Sequence, residues 1–431
     1  MHESQIDAAV LIVGAGVAGL SASLFLAQHG VSSVLVERSP GTSIYPRARG
    51  VNARTMELMR ELGLADEIRA AGARLAPAMG IHAGDSLVDV LARRGDGGWL
   101  TRKMRARAKR GGASRTSPAS AARCTQDELE PILLRAALAR GVDARFSTEL
   151  VSLAQDAGGV TATLSDGRTL RARYLIAADG SRSTVRKQLG IARSGSRTYG
   201  HQLNVLFRAD LAALVHGREF SMCLVDNPRV RGLIASLDNA SRWVIHISYD
   251  PSAGGGASDF TPERCADLVR AAIGIPDLAV EVLGISPWQS AVRLAERMRD
   301  GRVFLAGDAA HAMPPWGGFG ANTAIQDAHN LAWKLALVLR GEAGDALLAT
   351  YESERMPVAR AVAELSGSMS GDGGLIAIPK RTGMLGALWR MRRMFGYMKV
   401  GYGYASPAIA VEDGDRPGPH TTALDGRPGT R

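Results

Sequence analysis

The sequence has little cysteine, few aromatic residues and no long uninterrupted apolar run. Three cysteines, Cys124, Cys223 and Cys265, lie far apart with no CxxC pair in 431 residues. That spacing excludes a disulfide framework or a cysteine-based zinc site, so no metal is expected, and it suits a reducing cytoplasm. The apolar stretch Ala8 to Val13 runs into glycines well before the roughly 20 residues that a membrane span needs. The polar residues ahead of it do not make a secretion signal. Aromatic residues are 5% of the chain, and only Trp99 lies near its most basic stretch. Nucleic-acid binding would require stacking side chains or a known module beside that charge, so neither a nucleic-acid partner nor a membrane span is expected.

The chain is 46% apolar, which supports a large core and two or three domains of ordinary size. Its formal net charge of +10 suits anionic ligands without identifying one. Much of the excess sits in Arg102, Lys103, Arg105, Arg107, Lys109, Arg110 and Arg115, with no acidic residue from Gly97 to Gln126. Among Gly, Ser and Ala, these residues read as a mobile, solvated loop.

The first forty residues read as a βαβ unit: a strand from Asp7 to Val13, a glycine turn, a helix to Gln28 and a strand from Ser33 to Glu37. Helices are expected from Ala53 to Leu62 and from Gln126 to Arg140. A hairpin is expected with strands Gly158 to Leu164 and Thr169 to Arg173 around Asp166-Gly167, leading into the apolar strand Tyr174 to Ala178. Between residues 190 and 290 the pattern turns to alternating, β-branched segments: His201 to Arg208, Phe220 to Val225, Gly232 to Leu237 and Arg242 to Tyr249. After Gly301 come a strand, Arg302 to Ala306, a glycine-rich turn and a helix reaching Leu339. The fold class is therefore α/β, with a Rossmann-type dinucleotide-binding domain made from separated pieces of chain and an α+β second domain carrying a mixed sheet.

Gly14, Gly16 and Gly19 form GxGxxG after a strand and at a helix start, the context that gives the motif physical content. The first glycine permits the tight turn, the second lets backbone approach a pyrophosphate, and the third lets helix and strand pack closely. Val17 and Ala18 lie within the same turn. The helix N-terminus offers N–H donors and a positive dipole end to the phosphates. Glu37, followed by Arg38, closes the second strand where a carboxylate can accept hydrogen bonds from ribose hydroxyls. On this unit alone the dinucleotide could be FAD or NAD.

Two later segments, Tyr174-Leu-Ile-Ala-Ala-Asp179-Gly180-Ser-Arg-Ser-Thr-Val-Arg186 and Gly301-Arg-Val-Phe-Leu-Ala-Gly307-Asp308-Ala-Ala-His311, resemble the second and third fingerprints of group A flavoprotein monooxygenases, the family typified by para-hydroxybenzoate hydroxylase. The resemblance runs from residue 6 to about 366 and implies FAD as cofactor. It assigns Asp308 to the ribityl chain and Asp179-Gly180 to FAD and nicotinamide contacts; a strand-end turn cap is the plainer role for Asp179. Arg47 and Arg49, in Pro46-Arg-Ala-Arg-Gly-Val-Asn, match the arginine-bearing segment that crosses the flavin, and guanidinium suits pyrophosphate. Gln126 matches a glutamine near the ribityl region, or is a solvated helix-start residue. Pro315 matches a proline whose carbonyl lies by the reacting face of the flavin. Gly320, Ala321 and Asn322 enter the following helix, whose N-terminal N–H groups can stabilise negative charge on the flavin. Arg47 and Pro315 are the residues expected nearest the chemistry. His311 has no accompanying nucleophile motif such as GxSxG and reads as structural.

The resemblance implies that NADPH or NADH reduces FAD, and that O2 then yields a flavin C4a-hydroperoxide which hydroxylates an aromatic ring in a cavity closed to water. Residues 1–189 and 291–366 would form the FAD-binding domain, residues 190–290 a substrate-binding sheet domain, and residues 367–431 a C-terminal helical or linker segment. The stretch PPWGGFGANTAIQDAHNLAWKLA and the tail RPGPHTTALDGRPGTR look most like hydroxylases that tailor polycyclic aromatic polyketides. Three-domain members of that subfamily continue past a motif like Leu424-Asp-Gly-Arg-Pro-Gly429 into a thioredoxin-like domain, which is expected to be absent here. The protein is expected to act as a monomer or homodimer. Two alternatives stay open: a flavin reductase or dehydrogenase that inserts no oxygen, and a non-catalytic FAD-binding partner protein. A flavin-dependent halogenase would carry a WxWxIP-like segment, and none of the six tryptophans has another two positions away.

Overall fold

The strand Ala8–Val13 is apolar at every position, as a strand covered on both faces must be. It pairs in parallel with Ser33–Val36 on one side and Thr169–Ala177 on the other. Val303–Leu305 adds in parallel beyond Thr169–Ala177, and Asp143–Arg145 beyond Ser33–Val36. The sheet that begins at residue 8 is thus completed by a strand past residue 300. Thr169–Ala177 changes partner midway. Up to Ala172 it runs antiparallel to Val160–Leu164 across the Asp166-Gly167 turn, where Gly167 has φ +82°, and from Ala172 onward it lies parallel to Ala8–Val13. Helix Val17–Gln28 is buried along nearly its whole length, wedged against helices Phe319–Leu339 and Gln126–Ala139. That explains why it is apolar all round instead of amphipathic.

The computed structural model describes residues 6–75, 81–93, 117–195, 197–253, 256–377 and 402–410, with Gly386 and Met394. The basic stretch 102–115, most of Arg390 to Lys399 and the Leu424–Gly429 motif lie outside the described residues.

A second, mixed sheet has the strand order Glu281–Ala291, Thr198–Arg208, Arg242–Tyr249, Arg231–Ser236, Met222–Asp226, Ile81–Gly84. Trp243, Ile245 and Ile247 point from one face into a core shared with helix Pro262–Ile273. Alternation sends Val244, His246 and Ser248 to the opposite face. The helix has clear end signals: Thr261 Oγ1 accepts from Arg264 N–H, Pro262 opens the helix, and Gly274 ends it at φ +89°. Strand Glu281–Ala291 contains Pro287 and lies at the sheet edge, where a missing N–H costs no ladder bond. Ile81–Gly84 pairs with Met222–Asp226 at the other edge, and Leu87, Val90 and Leu91 join the same core. The chain therefore visits the second sheet once before residue 189.

The strand Arg242–Tyr249 stands where alternation predicts it, and Thr198–Arg208 begins three residues ahead of the expected His201. Helix Ala346–Ser368 carries Pro357 inside it and was not legible from its pattern. Cys124, Cys223 and Cys265 are buried thiols. No helix among the described residues is long and apolar enough to cross a membrane.

Candidate dinucleotide site

Gly14 has φ +104°, and a Cβ there would stand 2.4 Å from the Ala178 carbonyl oxygen. A Cβ on Gly19 would lie 1.9 Å from the Gly14 carbonyl oxygen, so both glycines are demanded by the packing of the chain on itself. Gly16 differs. A Cβ there would meet nothing closer than Glu130 Oε1 at 3.7 Å, so its openness serves whatever lies beyond the turn. Gly16 caps the buried helix and, with Gly14, lines a cavity of about 670 Å³ at the C-terminal ends of the first-sheet strands. Val17, Ala18 and Gly19 are buried and serve the helix packing.

Glu37 lines the same cavity. Its Oε2 accepts from Ala15 N–H at 2.8 Å and its Oε1 from Ser39 N–H at 2.8 Å, which hold the carboxylate over the glycine turn. Exposed Arg38 is beside it. Gln126 begins its helix at the cavity wall, and its Nε2 donates to Glu130 Oε1 at 2.7 Å. Glu130 also accepts from Ser43 N–H at 2.8 Å. Burial pushes the Glu130 carboxyl above its ordinary pKa, against the lowering effect of those two hydrogen bonds and of Arg47. Sequence reasoning missed Glu130, although its i, i+4 spacing from Gln126 was there to be read.

Arg47 lines the cavity, exposed and 5.7 Å from the centroid of the Tyr45 ring. Arg49 leaves that wall. Its guanidinium donates to the Ser221 carbonyl at 3.2 Å and to the Ser236 carbonyl. Burial and the neighbouring Arg123 charge push its pKa down to about 10. Tyr45 also reaches across, its hydroxyl donating to the Ile285 carbonyl at 3.1 Å. The arginine-bearing segment is thus strung between the dinucleotide cavity and the second sheet.

Asp179 and Gly180, the latter at φ +79°, border the cavity. Asp179 Oδ2 accepts from Val185 N–H at 3.1 Å, capping the short helix that follows, while Oδ1 is buried with no hydrogen-bond partner among the described residues. Burial raises the Asp179 pKa despite hydrogen bonds from Ser183 and the local backbone. Arg186, at the end of this segment, is buried and donates to the Ala309 carbonyl at 3.0 Å, joining the second motif to the third.

Asp308 follows Gly307, whose φ is +59° and where a Cβ would sit 3.0 Å from Ala324 Cβ and 3.1 Å from Ala18 Cβ. Asp308 is exposed and lies outside the residues that line the glycine-turn cavity, though close enough to Arg47 of that wall to feel its charge. Crowding raises its carboxyl pKa, with His311 and Arg47 pulling the other way. Buried beneath it, His311 Nε2 meets Asp327 Oδ2 at 2.6 Å. The other Asp327 oxygen takes a 2.7 Å hydrogen bond from Arg355 Nε.

Pro315 is exposed, and its carbonyl accepts from Gly318 N–H at 3.0 Å. Gly317 and Gly318, at φ +92° and +65°, bring the chain into helix Phe319–Leu339. Gly320 and Ala321 fall in its first turn, where backbone N–H groups have no intrahelical acceptor. Asn322, one residue further, acts visibly through its side chain: Oδ1 accepts from Asn52 N–H at 2.9 Å and Nδ2 donates to the Gly50 carbonyl at 3.1 Å. It clamps the arginine-bearing segment to this helix.

The parts fit FAD: a glycine cradle with one glycine left open, a carboxylate beyond the second strand, an orphaned Asp179 oxygen, and a helix N-terminus near Arg47. Fold and site together define a Rossmann-type dinucleotide-binding protein with an attached mixed-sheet domain. A family model described as FAD binding domain matches residues 7–366, and the chain belongs to that family. It is 42% identical over 440 residues to tetracenomycin B2 monooxygenase-dioxygenase of Streptomyces olivaceus, covering 99% of this chain and 79% of that protein. It is 39% identical over 443 residues to an aklavinone 12-hydroxylase of Streptomyces peucetius subsp. caesius, covering 100% of this chain and 87% of that one. Among solved structures, the ternary complex of aklavinone-11 hydroxylase with FAD and aklavinone superposes with TM-score 0.79 at 36% identity, over 99% of this chain and 79% of that one.

Proposed function

We propose that this chain is an FAD-dependent monooxygenase that hydroxylates a polycyclic aromatic polyketide, using NAD(P)H and O2. One observation carries the reading: the segment that lines the dinucleotide cleft runs on to the inner face of the second sheet, the face turned away from helix Pro262–Ile273. Tyr45 reaches that sheet from the cleft wall and Arg49 from further along the same segment, and Trp316, next to Pro315, packs on Leu233 of it. A planar ring bound there would lie between a cofactor and a floor that includes Leu233 and Val244. The names of the relatives point to the same substrate class.

In this reading Gly14, Gly16 and the N-terminus of helix Val17–Gln28 hold the pyrophosphate, with Arg47 supplying charge. Glu37 holds the adenosine ribose, and Asp308 and Gln126 the ribityl chain. The N–H groups of Gly320 and Ala321 offer preorganised donors to negative charge on the isoalloxazine. Asp179 closes the cleft beside Gly180. Bound FAD would accept hydride from NAD(P)H and activate O2 for insertion into the ring. The protein's part is placement, charge compensation and exclusion of water.

The test follows NADPH oxidation by FAD-loaded protein with and without polycyclic phenols, measuring peroxide and product mass. Substrate-stimulated oxidation that adds one oxygen atom is the expected result. Oxidation unaffected by substrate and yielding only peroxide would instead establish a reductase, and a flavin that NAD(P)H never reduces would establish a binding protein.

A further inference from the structure

The inner face of the second sheet carries a polar row that the FAD site does not use. Ser286, Asn204 and His246 are in register across three adjacent strands, with Leu233 next in line on the fourth. Trp288 Nε1 donates to Asn204 Oδ1 at 2.6 Å, and His246 Nδ1 lies 2.5 Å from that same oxygen. Indole N–H is a donor only, so the atom it meets must be the amide oxygen, and the imidazole nitrogen sharing that oxygen must carry a proton. The tautomer follows: Nδ1 is protonated, and Nε2 is left with a lone pair.

No hydrogen bond to Nε2 occurs among the described residues, and His246 is only half-buried. Its place is informative. On one side in the sheet, Val244 packs with Tyr45 of the cleft wall; on the other, Leu233 packs with Trp316, which follows Pro315. His246 therefore stands between the two segments that flank the flavin in the hydroxylase reading, on which this inference rests. Burial and the Arg49 charge push its pKa down to about 4, so the ring is uncharged near neutral pH and Nε2 remains an acceptor.

We propose that His246 is a specificity-determining residue whose Nε2 accepts a hydrogen bond from a phenolic hydroxyl of the substrate, selecting free phenols over their O-alkyl ethers. A site built to pair with a hydroxyl discriminates because the analogue lacking it leaves a desolvated polar atom unpaired. Asn204 and Trp288 are positioning residues that set the tautomer.

The test titrates FAD-loaded protein with 2-hydroxyanthraquinone and 2-methoxyanthraquinone, followed by the perturbation of flavin absorbance, so that no oxygen insertion is needed for the readout. The unsubstituted protein is expected to bind the phenol about tenfold more tightly than the ether. His246→Leu should abolish that preference while retaining FAD and ether affinity. Asn204→Leu, which keeps the imidazole but releases its tautomer, should weaken the preference. A preference unchanged in both variants overturns the proposal and leaves the hydroxylase reading standing. Failure of the unsubstituted protein to bind either probe overturns the proposal together with the polycyclic-substrate reading.

Discussion

Asp327 Oδ2 lies 2.6 Å from His311 Nε2 and accepts from Gly307 N–H at 3.2 Å, placing a buried carboxylate directly under the turn that presents Asp308. Its second oxygen pairs with buried Arg355, whose Nη1 also donates to the Tyr404 hydroxyl oxygen at 2.8 Å. Removing one member of such a set leaves an uncompensated charge in the interior.

Asp327→Asn is therefore expected to destabilise the fold by about 3–5 kcal/mol, measured as a lowered urea midpoint, and to reduce FAD content through the Asp308 turn. The acid limb should change too. Burial alone would raise the Asp327 pKa, but His311 and Arg355 prevail and hold it below the ordinary value. A carboxyl depressed in the folded state contributes stability that is present above its unfolded pKa and is lost as pH falls through the folded one. The variant should lack that part of the acid-induced loss.

Gly307→Ala should fail on two counts, a left-handed φ of +59° and a Cβ within 3.1 Å of both Ala324 and Ala18. Overpacking of this kind costs about 1–3 kcal/mol, with the strained backbone adding to it. Flavin absorbance per mole of purified protein should fall, because the two helices and the Asp308 turn can no longer close together.

Glu37→Gln and Asp308→Asn each keep shape and remove charge at the two carboxylates that the proposed function assigns to the adenosine ribose and the ribityl chain. Hydrogen bonds to charged groups are worth about 1.5–3 kcal/mol, so FAD affinity should fall about 10- to 100-fold in each, read from the Kd in a fluorescence titration of apoprotein. A Kd unchanged in either variant would remove that residue from the site.

Glu130 separates positioning from charge. Glu130→Gln should leave neutral-pH stability within about 1 kcal/mol of the parent, since an amide can still accept from Ser43 N–H. Because burial raises the Glu130 pKa, its favourable contribution is fully present below the unfolded pKa and is lost as pH rises through the folded one; the Gln variant should lose that slope in chemical denaturation across pH. Glu130→Ala, which releases both Gln126 and the Ser43 loop, should lower FAD occupancy instead.

Much of the site was legible because its demands are local. A glycine at φ +104° or a turn held at +59° restricts the residue at one position, and the restriction is written there. The strand ends at Val13, Val36 and Ala177 follow from short apolar runs, and they bring Gly14, Glu37 and Asp179 to one edge of one sheet. Helix Ala346–Ser368 was illegible because Pro357 reads as a break, whereas a buried neighbour set holds the helix through it. Strand Ile81–Gly84 was illegible because four residues acquire their identity only from the edge they join.

By itself, then, the amino-acid order determined the βαβ unit, the glycine turns and the succession of three FAD motifs, since backbone conformation and apolar periodicity act over a few residues. Only the tertiary structure decided that Asp327 serves His311 and Arg355, that Glu130 holds Gln126 and Ser43, that Arg49 crosses to the second sheet, and that Asn204 sets the proton on His246. Buried polar groups must find partners wherever the fold brings them, and those partners stand far away in sequence.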